Sequence, residues 1–399
     1  MSRRPLRIAI IGGGIGGLTA ALSLRQAGFE ADIYEQAPAL THIGGGINMG
    51  PNAARVLIRL GLGEGLLREG VRPASTHQRR WDDARTLQRA PLNPQCEELY
   101  GAPHVTIHRA DLLAVISSGL PPERIHLGHR LLGLSDKGGH VEAWFDNGVR
   151  IDADILVGAD GIHSAVRAIL FGDEAPKFAG CVAYRGLVPA ERLADLQLEL
   201  GSQSWVGPGG HLVHYFVSRG ELLNFVGWTE HDEWSREDWT DRATVERALA
   251  AFEGWHPQIR HIIGAADECF IWALFDRDPL PRWSVGRVTL LGDACHPMYP
   301  FMGQVAAQAI EDGAALAACL RAAGDADPAG ALQHYERLRL PRVTRLQELS
   351  RANKIRFHMP DGLAQRARDA EWARMGDRGA HALRWLYEHD PAAIDTRPA

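Results

Sequence analysis

Three turns and one strand of the chain carry residue types suited to chemistry. Gly12, Gly14 and Gly17 satisfy the spacing G-x-G-x-x-G. In that spacing the first glycine permits a tight turn, the second lets a pyrophosphate approach the backbone, and the third allows a helix to pack closely on a strand. The phosphate then rests on the positive end of the following helix, beside Ile15. Two later turns, Asp160-Gly161 and Gly292-Asp293, each end an apolar run and present a carboxylate where a polar ligand would lie. Ser164 follows the first as a helix-start partner, and Arg167 adds positive charge.

The strand is "GGHLVHYFV", in which His211, Val213 and Tyr215 share one face and Leu212, His214 and Phe216 the other. A His and a Tyr so placed meet a ring hydroxyl or carboxylate together, which is general acid–base chemistry. Tyr215 is the first candidate for that group and His211 the second. The alternative is that both lie on a solvated face or satisfy hydrogen bonds in a core. His296 follows Asp293 by three residues without further ligands at metal spacing, so a loop histidine and no metal are expected. Arg185, after Tyr184 at a strand end, is a candidate to pair with a carboxylate, but an ordinary surface residue is expected.

These residues need elements to hold them. "RIAIIGGGIGGLTAALSLRQAGFEADIYEQA" reads as a strand at 8–11, a glycine turn, a helix over 14–27 ended by Gly28, and a strand at 31–35. Glu35 ends that second strand, where an acid accepts from ribose hydroxyls. The unit is a dinucleotide-binding βαβ, although its spacing does not choose between NAD and FAD. Asp146-Asn147-Gly148 marks a hairpin between "HVEAWF" and "RIDADILVGAD". Strand character dominates from 178 to 230 and returns at "CFIWALFD", with turns at Pro208-Gly209-Gly210 and Arg219-Gly220.

From residue 303 onward the chain is mostly helical, with a long amphipathic stretch over 340–359, a closing helix at "GAHALRWLYEHD" and a frayed tail from Pro391. The helix opening after Gln304 holds Val, Ala, Ala, Gln and Ala, whereas a core-packing helix wants large apolar side chains. A bulky ligand against its start is expected.

Composition narrows the function classes. With 43 Lys+Arg against 49 Asp+Glu, the net charge of −6 offers no general field for nucleic acid. No apolar run reaches the ~18 residues of a membrane span, and the first one, after "MSRRPLR", lacks a signal-peptide cleavage site. Five cysteines without a CxxC pair suggest neither a disulfide framework nor a zinc knuckle, so a reducing cytoplasm is expected.

Taken in order over essentially the whole chain, the turns at Gly12, Asp160 and Asp293, the last with its trailing "HPMYPFMGQ", resemble those of the single-component FAD-dependent aromatic hydroxylases. That family is typified by p-hydroxybenzoate and salicylate hydroxylases and includes a 6-hydroxynicotinate monooxygenase subgroup. "HRADL" at 108–112 and "RWLYEHD" at 384–390 are similar to its segments as well.

The resemblance implies an α/β fold: a GR2-type Rossmann-like FAD-binding domain, an interleaved antiparallel-sheet substrate domain and a helical C-terminal region. The first would take 1–75, 100–177 and 282–325, the second 76–99 and 178–281, and the last 326–399. It implies NADH or NADPH reducing FAD, then O2 forming a C4a-hydroperoxyflavin that hydroxylates a small aromatic or heteroaromatic acid or phenol. A monomer or homodimer would do this.

Residue by residue, Glu35 would hold the adenosine ribose, Arg109 the pyrophosphate or ribityl region, and Asp293 the ribityl chain or pyrophosphate. Asp160 would serve FAD and nicotinamide binding, and Gly46 would pass close to the flavin. Gly303, Val305 and Ala306 would face its pyrimidine edge, with Pro300 and Phe301 beside the reacting ring. In the 6-hydroxynicotinate subgroup a His and a Tyr at the spacing of His211 and Tyr215 contact substrate. Ile47 and Phe301-Met302, however, stand where that subgroup has histidines.

Val305 departs from the family's Gly-Gln-Gly. If the missing glycine has a positive φ, a β-branched residue is strained there, and if its φ is helical the cost is only local crowding. Weakened flavin binding or altered flavin movement is expected from it. Two other readings remain at this point: a flavin-binding protein with impaired turnover, and a nicotinamide-dependent dehydrogenase using only the first βαβ unit.

Overall fold

The computed structural model describes residues 5–40, 44–232, 242–324 and 326–392. The expected fraying from Pro391 falls mostly on 393–399, outside the described residues. In chain order the first elements are β1 (Ile8–Ile11), α1 (Ile15–Gln26), β2 (Ala31–Glu35), β3 (Gly46–Met49), α2 (Pro51–Arg59) and α3 (Gly63–Glu69). Next come β4 (Ser75–Arg80), β5 (Thr86–Pro91), α4 (Gln95–Tyr100), β6 (Val105–His108), α5 (Arg109–Ser117) and β7 (Ile125–Leu127). A meander of β8 (Leu131–Asp136), β9 (Val141–Phe145) and β10 (Arg150–Ala153) leads to β11 (Ile155–Gly158) and α6 (Ala165–Phe171).

The long strands β12 (Lys177–Pro189), β13 (Ser202–Gly207), β14 (Gly210–Val217) and β15 (Leu222–Glu230) follow, then β16 (Arg242–Ala243), α7 (Val245–Ala251), α8 (Pro257–Gly264) and β17 (Cys269–Asp276). The last strands, β18 (Ser284–Val285) and β19 (Val288–Leu290), precede α9 (Val305–Ala323), α10 (Pro328–Phe357), α11 (Leu363–Met375), α12 (Gly379–Ala382) and α13 (Arg384–Tyr387).

One sheet has the order β18-β19-β11-β1-β2-β7, with β1 parallel to both β2 and β11. All four residues of β1 and of β11 are buried, as expected for strands covered on both faces. The small residues of α9 have a cause the sequence reading did not assign to them. This helix is a core helix after all, buried almost continuously from Ala307 to Leu320. It packs so tightly on α1 that a Cβ at Gly313 would lie 2.8 Å from the Ala20 nitrogen, and one at Gly16 would meet Leu291 and Ala309. Two helix backbones this close admit only Gly and Ala at the crossing.

The second sheet runs β16-β17-β12-β15-β14-β13-β4-β5, antiparallel except where β13 meets β4. Residues directly opposite in an antiparallel pair share a face. His211 opposes Trp228, which opposes Ala183, which in turn opposes Trp272. Tyr215 opposes Asn224 in the same way. The other face, with Leu212 and Phe216, closes a separate core against α7 and α8. His214 lies there and accepts from Trp205 Nε1 at 3.1 Å.

Helix α10 runs unbroken through Pro341 and ties the two sheets together. Arg351 pairs with Asp276 at 2.7 Å, Lys354 donates to the Ala179 carbonyl, and Asn353 donates to the Phe301 carbonyl at 3.1 Å. The single closing helix expected at the C-terminus is instead two short turns, α12 and α13, because Leu383 between them leaves helical geometry.

Candidate active site

Glycines allow the main chain to converge here. Gly12 has φ +110°, and a Cβ there would lie 2.3 Å from the Ala159 carbonyl oxygen, so the first turn touches the end of β11. Gly17 sits equally close to the Gly12 carbonyl, which fixes α1 against β1. A Cβ on Gly14, by contrast, would meet nothing within 4 Å, leaving an open cradle at the start of α1. Strand β3 pairs with β6, and the Arg109 amide donates to the Gly45 carbonyl at 3.0 Å. A Cβ on Gly44 would lie 2.7 Å from the Arg109 side chain, and one on Gly46 2.5 Å from the Tyr215 ring. The bare backbone lets both side chains cross it.

All of this borders one cavity of about 1110 Å³. One end is lined by Gly14, Ile15, Arg109 and Asp293 together with the start of α9, Gly303 to Ala306. The other end is the β14 face with His211 and Tyr215, closed by Trp228, Phe301 and Phe357. Gly46 and Pro300 line it between the two.

Four expected residues stand behind the wall. Gly12 and Gly17 shape the turn. Glu35 accepts from the Gly13 and Ala37 amides at 2.6 and 2.8 Å, bracing the glycine turn from below. Asp160 turns its carboxylate away from the cavity, where it accepts from Ser164 Oγ at 2.5 Å and the Val166 amide at 3.1 Å. Its neighbours Ala159 and Gly161 line the cavity instead.

Charge is distributed unevenly. Burial pushes the Asp293 carboxyl up, while His296 and Arg109 pull it down. Burial lowers the Arg109 guanidinium, opposed by Asp293 and Glu35. One expectation fails here. Arg185 is no surface residue: only 7% exposed, it lines the cavity and lies over the Trp272 ring at 4.8 Å. Burial, then Arg109, brings its guanidinium down to about 10. His296 lies in the loop after Asp293, buried and bonded to Asp312 at 2.6 Å.

The start of α9 is shaped for an anion. Its N-cap residue Gln304 makes no side-chain cap, and no acid stands in the first turn, so the helix's positive end faces the cavity unneutralised. Gln304 points inward to Asn52 instead, at 3.0 Å. The Pro300 carbonyl accepts from the Gly303 amide at 2.9 Å, and the left-handed residue of this loop is Gly303, at φ +62°.

Val305 is therefore an ordinary first helical residue without backbone strain. Its side chain packs against the apolar cluster that holds Met298, Leu346, Leu386 and Tyr387. Val305→Gly is expected to lower stability by about 0.5–1 kcal/mol, the cost of glycine in a helix, without lowering FAD content. A thermal melt and the flavin absorbance check both.

The FAD binding domain family model matches residues 6–350. The chain belongs to the single-component FAD-dependent aromatic hydroxylases. It is 44% identical to a 3-amino-4-hydroxybenzoate 2-monooxygenase of Streptomyces platensis over 99% of both chains. It is 39% identical to a 6-hydroxynicotinate 3-monooxygenase of Pseudomonas fluorescens, over 88% of this chain and 92% of the other. A salicylate hydroxylase substrate complex superposes with a TM-score of 0.84 at 28% identity, covering 98% of this chain and 97% of that one. Klebsiella pneumoniae HpxO, complexed with FAD and uric acid, also superposes with a TM-score of 0.84 at 28% identity, covering 96% of each chain.

This hydroxylase is an FAD-dependent monooxygenase, and the relatives favour neither a dehydrogenase nor a flavoprotein without turnover. Its residues fit FAD: an open glycine cradle, an Arg and an Asp across the cavity, and an uncapped helix start. Among the described residues no helix is long and apolar enough to cross a membrane.

The sequence pattern ranked Arg185 too low and left His104 and His358 unnamed. Arg185 belongs to the cavity wall through its register opposite Val226, which no local pattern reveals. His104 lines the cavity and bonds Asn48 at 3.1 Å, and His358 reaches the far wall from α10.

Proposed function

We propose that this hydroxylase inserts oxygen into a small aromatic acid carrying a ring hydroxyl, with 3-amino-4-hydroxybenzoate or a close analogue as substrate. The observation that carries the reading is the single cavity joining the glycine cradle and the start of α9 to His211 and Tyr215. The 44% identical relative supports the choice of ring. So does the wall itself: Ile47, Phe301 and Met302, which replace the histidines of the 6-hydroxynicotinate subgroup, all line the cavity. Phe301 stands edge-on to the His211 ring at 4.8 Å. An apolar wall there favours a benzene ring over a pyridine, whose nitrogen would lose its hydrogen bond.

Gly14, Arg109, Asp293 and the amides of α9 would hold FAD. Reduced by NADH or NADPH, bound FAD supplies the activated oxygen. The chain's own residues orient the ring, exclude water and handle the hydroxyl proton. Burial pushes the Tyr215 phenol up, so it stays protonated and donates a hydrogen bond. Burial, then His358, holds the His211 imidazole well down, so it stays neutral and offers a lone pair. His211 offers an unprotonated nitrogen, and its Nδ1, 2.8 Å from His358 Nε2, has a partner to pass a proton to, so it rather than Tyr215 is the base for the ring hydroxyl. Arg185 adds positive charge that favours an anionic occupant.

Stimulated NADH consumption with 3-amino-4-hydroxybenzoate, 4-hydroxybenzoate and 6-hydroxynicotinate, with product masses, tests the substrate. The first is expected to give the highest kcat/KM and a product heavier by one oxygen. A clear preference for 6-hydroxynicotinate would overturn the choice of ring.

A further inference from the structure

His211 does not end in the wall. Its Nδ1 lies 2.8 Å from Nε2 of His358, and Nδ1 of His358 lies 3.1 Å from a carboxylate oxygen of Glu230. The His211 and His358 side chains are both about 1% exposed, whereas the Glu230 side chain is 52% exposed. The three groups form an unbroken line from the cavity to solvent, built from β14, the end of α10 and the end of β15.

Chemistry sets the direction of this line. A carboxylate only accepts, so His358 donates Nδ1–H to Glu230. Burial holds the His358 imidazole down at about 4 despite the carboxylate, so it is neutral near pH 7 and its Nε2 is a lone pair. His211 must then donate Nδ1–H to that lone pair, which leaves its own Nε2 unprotonated. The exposed Glu230 thus fixes the tautomer of a buried residue two hydrogen bonds away.

We infer that Glu230 and His358 are positioning and relay residues: they set His211 as a base and carry the substrate's hydroxyl proton to solvent. This rests on the functional reading above. The transfer is balanced. The substrate O–H bond breaks as an N–H bond forms at His211 Nε2, the Nδ1 proton of His211 passes to His358 Nε2, and the Nδ1 proton of His358 passes to Glu230. The substrate keeps the electron pair as a phenolate, which is the electron-rich ring an electrophilic oxygen needs. Glu230 then releases the proton to water, leaving both imidazoles protonated at Nε2. When the hydroxylated product regains its hydroxyl proton from His211 Nε2, the same transfers run in reverse with a proton drawn from water through Glu230, and both starting tautomers are restored.

The experiment follows phenolate formation when substrate is mixed with the oxidised, FAD-loaded protein, read from its near-ultraviolet absorbance. Glu230→Ala removes only an exposed terminus and is expected to slow that step by at least about tenfold, short of the 10²–10⁴ range for losing the base itself. Acetate in the buffer should restore the rate of Glu230→Ala and leave the original protein unaffected. His358→Phe should be slow and not restored by acetate, with its flavin content confirming that it folds.

Nitrogen NMR of histidine-labelled protein gives a readout independent of turnover. His211 is expected as the single tautomer protonated at Nδ1, becoming a mixture in Glu230→Ala. An original protein that ionises substrate, beside a Glu230→Ala variant with the same rate and the same His211 tautomer, overturns the relay alone. An original protein that binds no hydroxybenzoate overturns the functional reading and the relay with it.

Discussion

Replacing His211 by Gln is expected to lower hydroxylation by about 10²–10⁴-fold, the usual loss on removing a general base, while flavin content stays at the level of the original protein. The expectation follows from placement. His211 stands on the cavity face of β14, about 13 Å along the strand from Tyr215 at ~3.3 Å per residue, and Gly46 packs on Tyr215 rather than on it. Removing its ring leaves the cofactor end of the cavity unchanged. Gln keeps hydrogen-bonding capacity but takes no proton, so kcat should fall far more than KM rises. Tyr215→Phe, which removes a donor rather than a base, should do less damage and act mainly on KM. Turnover assays with oxygen uptake check both. A His211→Gln variant near full activity would return the base to Tyr215.

A second large effect is expected behind the start of α9. Arg339 is fully buried and pairs with Glu311 at 2.6 Å and Asp312 at 2.7 Å, both also fully buried. Asp312 in turn accepts from the Gly292 amide at 3.0 Å, and Glu311 accepts from Asn52 at 2.6 Å. The network therefore fixes the loop bearing Asp293 and, through Asn52, Gln304 at the start of α9.

Arg339→Met leaves Glu311 with Arg342 alone and Asp312 with His296 and the Gly292 amide, so it is expected to cost about 3 kcal/mol, the low end for a broken buried ion pair. Denaturant unfolding measures it. The same network sets an acid limit. Burial pushes Glu311 up, but Arg339 and Arg342 more than offset this and hold it at about 2, against 4.5 for an ordinary glutamate. A folded-state value below the unfolded one stabilises at higher pH. Its contribution is complete above about pH 4.5 and is lost as pH falls towards 2. Arg339→Met should flatten the acid limb of stability against pH in that window.

Much of the fold was legible because its signals are local. The strand, glycine turn, helix and strand of the first unit were written in consecutive residues, and β1 and β2 fell where the apolar runs placed them. The hairpin at Asp146-Asn147-Gly148 was equally local, and Gly148 takes the left-handed conformation at φ +82°. What the sequence hid is set by partners distant in the chain.

The small residues of α9 looked like room for a ligand, yet those at the crossing answer to the backbone of α1. Arg185 looked exposed because its burial comes from the β12–β17 pairing and the rings of Phe270 and Trp272. Val305 raised the question of strain because backbone angles are not written in residue type. The helix begins at Val305 itself, and the positive φ belongs to Gly303. The partnership of His211 with His358 spans 147 positions, beyond the reach of any local motif.

The most direct test supplies the purified, FAD-loaded protein with NADH, 3-amino-4-hydroxybenzoate and isotopically labelled O2, and weighs the product. One labelled oxygen atom in the ring for each NADH consumed is the predicted result. NADH consumption that yields only hydrogen peroxide, with this and every other hydroxylated aromatic acid recovered unchanged, would contradict it.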